Sequence, residues 1–123
     1  MNETLRSCFY EGKWKRETCE PHTIFLSQGD YPLKGLHYVL EALPQICEKY
    51  PAAKLYVAGD KITAYESIKE KIKIGSYGKF CLSLIRKYHL QDKVVFLGRL
   101  NSEKMCGQYL KSHVFLSASS MEN

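Results

Sequence analysis

The chain has 123 residues, 45% hydrophobic and 25% charged, with a formal net charge of +5. That length holds one core and excludes two ordinary domains, and no run of about 18 apolar residues predicts a membrane span. Five widely spaced cysteines without a C-x-x-C pair disfavour a structural metal, so none is expected. With an N-terminus that lacks a signal peptide's apolar stretch, they lead to the expectation of reduced thiols in the cytoplasm.

Met1 to Pro21 shows no sustained period, only Phe9, Tyr10 and Trp14 punctuating a charged segment. It reads as a lead-in whose aromatics pack on the domain or on a neighbour. Ile24-Phe25-Leu26-Ser27 reads as a buried strand, followed by a loop from Gln28 to Lys34. Leu36, Val39, Leu40, Leu43, Ile46, Cys47 and Tyr50 then recur at the three-and-four spacing of an amphipathic helix. His37, Glu41, Pro44 and Glu48 are expected on its wet face. Pro44 deletes one backbone bond toward Leu40, and a bend around the core can absorb that loss. One bent helix is expected rather than two.

A strand that feeds a helix through a glycine-bearing loop brings free amides and a positive helix end to the strand's carboxyl tip. Open α/β sheets bind phosphorylated ligands there. Lys34-Gly35 adds a cation at that point. By itself, such a lysine reads equally well as a solvated residue before an ordinary helix start.

Lys54 to Ala58 is a second short strand, closed by Gly59-Asp60. Lys61 to Ile74 has helical spacing but is densely charged and stays ambiguous. Its Lys69, Lys71 and Lys73 alternate with Glu70 and isoleucines, a solvated face rather than a phosphate rail, so no nucleic acid partner is expected. The same segment suits peripheral contact with an anionic membrane. Ser76 to His89 is a firmer helix, Lys93 to Leu97 a third strand, Asn101 or Ser102 the cap of a short helix, and Val114 to Ser117 a fourth strand. Cys47, Cys81 and Cys106 fall on apolar faces as small hydrophobes.

This alternation predicts a Rossmann-like parallel sheet in the order 3-2-1-4, with right-handed crossovers and helices on both faces. The strand order reverses between the first and fourth strands, which places the Gln28–Lys34 loop beside Ala118 to Asn123. No G-x-G-x-x-G follows the first strand, so a dinucleotide cofactor is not indicated. His22, His37, His89 and His113 lie at element edges or wet positions and are read as structural.

Four blocks then carry a resemblance: the strand–loop–Lys34-Gly35–helix unit, Tyr50 to Asp60, Phe96 to Leu100, and Ser119 to Asn123. In this order the chain resembles the carboxy-terminal, nucleotide-sugar-binding domain of GT-B glycosyltransferases. The match is to the retaining group called family 4, or glycosyl transferases group 1. The resemblance implies transfer of a sugar from a nucleotide-diphosphate donor to a glycan or lipid acceptor, with the donor as substrate and no cofactor. Lys34 looks like the lysine that meets the diphosphate. Glu122 matches the first acid of an E-x7-E motif that meets the donor sugar. Gly29, Lys34 and Gly35 would hold phosphate, and Arg99 and Leu100 would read the base.

Two departures stand against the pattern. Asp30 follows Gly29 where many relatives carry arginine, and the second acid of the motif would lie past Asn123. Residues 1–21 are therefore expected to be the connection from a missing N-terminal domain. Residues 22–123 would be a partial nucleotide-sugar-binding domain, inactive alone. The alternative reading is a non-catalytic α/β module that binds a nucleotide or protein, with self-association through the free edge of its fourth strand.

Overall fold

A computed structural model of the chain describes residues 7–29, 32–59 and 76–119. Strands β1 (Glu20–Leu26), β2 (Lys54–Ala58), β3 (Val94–Gly98) and β4 (Ser112–Phe115) make one parallel sheet in the order β3-β2-β1-β4. Helices α1 (Cys8–Glu11), α2 (Leu36–Lys49), α3 (Ser76–Lys87) and α4 (Ser102–Lys111) surround it. The expected fold class and strand order are therefore the observed ones.

Side-chain alternation along β1 divides the core. Leu26 joins Leu55 and Val57 under α2 and α3, where Leu36, Leu40, Leu43, Cys81 and Leu84 close the packing. Phe25 turns to the other face and meets Tyr109 of α4 at 5.2 Å and Phe115 at 6.2 Å. Burying each large aliphatic side chain contributes about 1.5–3 kcal/mol, so the aliphatic layer holds α2 against the sheet. Pro44 lies inside α2 without dividing it. Asn101 caps α4 as anticipated, its Oδ1 accepting from the Lys104 amide at 2.8 Å.

Three expectations are corrected. β1 begins at Glu20, not at Ile24, because its first half pairs with β4 through an irregular register between Glu20 and Ile24. Side chains replace ladder bonds there: the His113 amide donates to Thr23 Oγ1 at 3.0 Å, and the His22 amide to His113 Nδ1 at 3.0 Å. The lead-in is also more ordered than its composition suggests. Residues 8–11 form a helical turn against α4, and Trp14 Nε1 donates to the Ser112 carbonyl at 2.7 Å. The fourth strand spans Ser112–Phe115, starting earlier than Val114 because α4 passes into it directly. The ambiguous segment Lys61–Ile74 lies outside the described residues.

Candidate functional site

The loop after β1 leaves the sheet under the tip of β2. The Gly29 amide donates to the Ala58 carbonyl at 2.8 Å, and a Cβ on Gly29 would collide with Val57. Pro32–Lys34 then makes one 3-10 turn, closed by the Gly35 amide donating to Pro32 at 3.1 Å. Gly35 has φ +80° and starts α2 without a side-chain cap. A Cβ there would overlap the Ala118 carbonyl, so glycine is required both by conformation and by close approach.

That contact joins the start of α2 to the segment leaving β4. The Leu116 amide extends the pairing by donating to Phe25 at 2.9 Å, and Ser119 Oγ donates to the Leu33 carbonyl at 3.3 Å. Between the tips of β1 and β4 lies a cavity of about 350 Å³, lined by Ser27, Gln28, Lys34, Phe115 and Ser117 together with Leu26 and Leu116. Lys34 is half-buried and is the cation of that lining. The cavity stands where the strand order reverses, at the carboxyl ends of the strands.

Three amides at the helix mouth and its loop, those of Gly29, Gly35 and His37, are engaged, which corrects the expectation that they are free. Gly29 and Gly35 donate within the loop as described. The His37 amide donates to the hydroxyl of Tyr77 on α3 at 3.1 Å, and that hydroxyl is 2.9 Å from His37 Nδ1. Burial raises the Tyr77 hydroxyl well above its ordinary pKa, so it stays protonated. Tyr77 therefore supplies the oxygen that Gly35 cannot. His37 is correspondingly half-buried, with the Tyr77 ring at 5.5 Å and Phe80 at 6.1 Å, not on a wet face. A helical wheel sees only α2; it cannot show that α3 crosses at its first turn. A tyrosine at the start of a following helix was the available signal, and it is a weak one.

Across the sheet, the Gly59 amide donates to the Gly98 carbonyl at 3.0 Å, tying the tip of β2 to that of β3. Gly98 takes φ +78° and turns the chain into exposed Arg99 and half-buried Leu100. Gly29, Lys34, Gly35, Arg99 and Leu100 thus share the carboxyl edge. Lys34 and Gly35 stand at the β1–β4 gap, and Arg99 and Leu100 follow β3, with β2 between β3 and β1. Glu122 and Asp30 lie outside the described residues. Among the described residues no group of three or more His, Cys, Asp or Glu is placed to hold a metal. No helix among them is long and apolar enough to cross a membrane.

A parallel sheet ordered 3-2-1-4, with helices and a cavity at its order reversal, is a Rossmann-like domain of the GT-B kind. A sucrose-phosphate synthase from Thermosynechococcus elongatus shares this fold with a TM-score of 0.61 at 22% identity, over 84% of this chain and 23% of that one. The chain belongs to the family described as glycosyl transferases group 1, whose model matches residues 11–123. It is 26% identical over 102 residues to the phosphatidylinositol N-acetylglucosaminyltransferase gpi3 subunit of Schizosaccharomyces pombe, covering 81% of this chain. It is 28% identical over 91 residues to a phosphatidylinositol N-acetylglucosaminyltransferase subunit of Arabidopsis thaliana, covering 72% of this chain. The chain spans 19% and 17% of the lengths of these two relatives.

Proposed function

We propose that this chain is the donor-binding part of a retaining glycosyltransferase that moves a sugar from a nucleotide diphosphate to a glycan or lipid acceptor. The observation that carries this reading is the half-buried Lys34 in a cavity between the tips of β1 and β4. With the Gly29, Gly35 and His37 amides engaged, the Lys34 ammonium is the group that would neutralise the leaving diphosphate, the kind of electrostatic stabilisation on which group transfer depends. Glu122 would orient the donor sugar, Arg99 and Leu100 would meet the base, and Gly29 and Gly35 would let the backbone come close. The donor is a substrate, and no cofactor is required.

The two relatives are named as phosphatidylinositol N-acetylglucosaminyltransferases and as subunits. On that basis a lipid acceptor, an N-acetylglucosaminyl donor and partner subunits are the specific reading for the parent enzyme. A cytoplasmic location with peripheral membrane contact suits such an acceptor. An amino-terminal domain would complete the cleft, so this chain alone should not turn over.

The test is an NMR titration with UDP, GDP and ADP. Shifts at Lys34, Gly35 and Arg99 with one nucleotide support the reading, and Lys34→Ala should then weaken binding roughly ten- to a hundredfold, a charge-assisted bond being worth about 1.5–3 kcal/mol. Absence of shifts with all three, or equal binding by Lys34→Ala, rejects Lys34 as the diphosphate ligand. A second reading, a binding module that self-associates, rests on β4. Its Val114 and Phe115 are each 49% exposed at the sheet edge, and the strand carries no lysine or proline to discourage pairing. Sedimentation that stays monomeric at high concentration counts against it.

A further inference from the structure

Cys8 and Cys106 are 98 positions apart in sequence, yet their sulfurs lie 2.6 Å apart. The approach is made by the packing of α1 on α4. Phe9 meets Tyr109 edge-on at 6.3 Å, the Cys8 thiol points at the Ser102 carbonyl at 3.6 Å, and Trp14 anchors the following turn to Ser112. The other thiols are engaged elsewhere: Cys19 with the Arg16 carbonyl at 3.3 Å, Cys47 facing the Ala53 carbonyl at 4.0 Å, and Cys81 fully buried under α2. Two thiols brought together from distant positions, one half-buried and one buried, form a pair that the even scatter of cysteines in the sequence gives no hint of.

We propose that Cys8 and Cys106 are a reversible disulfide site, closed by exchange with a glutathione-type disulfide. Cys8 is the more accessible partner and reacts first. Its thiolate attacks one sulfur of the small disulfide and expels one glutathione thiolate, leaving a mixed disulfide on Cys8. Cys106 then gives up its proton to solvent, its sulfur attacks the Cys8 sulfur, and the second glutathione thiolate leaves. Two protein thiols are oxidised, and one glutathione disulfide is reduced to two thiols. Burial pushes the Cys106 thiol up to about 11, which suits it to the second step, where the attack is intramolecular, rather than to the first. The bridge fastens the segment before β1 to α4, which runs directly into β4. None of this depends on the donor site.

The experiment exposes the whole chain to oxidised glutathione, then alkylates it in denaturant for thiol counting and peptide mapping. Free thiols should fall from five to three, with a linked peptide joining Cys8 to Cys106, and reduced glutathione should restore all five. Closing so long a loop should raise the thermal midpoint by roughly 10 °C or more. Cys106→Ser should retain glutathione on Cys8, because the resolving sulfur is gone. Cys8→Ser should form no bridge and show no rise in midpoint. Five thiols that persist, a bridge between other cysteines, or a Cys106→Ser chain that takes up no glutathione at Cys8 would each overturn the proposal.

Discussion

Under α2 and α3, Leu36, Leu40, Leu43, Leu55 and Cys81 are sealed from solvent by aliphatic packing. Under α1 and α4, the sheet is covered by rings, of which Phe115 remains 49% and Trp14 47% exposed. The first face is held by area and shape, and its energy is spread over many contacts. The second is held by a few ring contacts, the Trp14 bond and a pair of thiols. The contrast teaches where precision is needed. The sealed face fixes α2, and with it Gly35 and Lys34, whereas the thin face sets how firmly α4 and the segment before β1 are attached.

The largest effect should come from comparing a truncation on each face. Leu40→Ala opens a cavity in the sealed layer and should cost about 2–5 kcal/mol. Tyr109→Ala removes a half-buried ring and should cost about half as much, as measured by urea denaturation; equal losses would erase the distinction. Gly35→Ala places a Cβ at positive φ against the Ala118 carbonyl and should cost about 2–4 kcal/mol from strain and overlap together. Because α2 is held by the sealed face, β4 should be the element that yields, and loss of amide protection at Leu116 would report it.

A smaller effect distinguishes the faces by pH. Burial pushes the thiols of Cys81 and Cys106 up to about 11 from the usual 9.0. Above pH 9 the unfolded chain therefore loses protons that the folded chain keeps. This contribution to stability is whole below pH 9 and falls as pH rises toward 11. In reducing buffer, Cys81→Ala should flatten that decline on the sealed face and Cys106→Ala on the thin one; a midpoint independent of pH across the window would contradict both. The smallest change is Tyr77→Phe, which removes the acceptor of the His37 amide and should cost about 1 kcal/mol. Faster exchange of that amide would show it, and unchanged exchange would mean that the hydroxyl does not cap α2.

The fold was legible because its signals are local. Leu36 to Ile46 has one helical period, Lys54–Ala58 and the strand after Lys93 are short apolar runs, and Gly59 and Gly98 end their strands with positive φ. Strand–helix alternation then leaves few topologies, so the order was recoverable as well. At the site, Lys34 and Gly35 could be singled out from their place between strand and helix. Tyr77 could not, because its role depends on how α3 crosses the mouth of α2. The beginning of β1 was hidden for a similar reason: Glu20-Pro21-His22 has no strand pattern and is held by the Thr23 hydroxyl, which donates to the Glu20 carbonyl, and by His113 Nδ1, which accepts from the His22 amide.

Most of the elements, their order in the sheet and the edge at which Lys34 stands could be read from local patterns, since periodicity and turn chemistry act over a few residues. It took the packed molecule to show which amides at that edge are already engaged, that His37 faces a tyrosine, and that Cys8 meets Cys106. Each of these is a contact between segments far apart in the chain, set by how whole helices pack rather than by any residue's local preference.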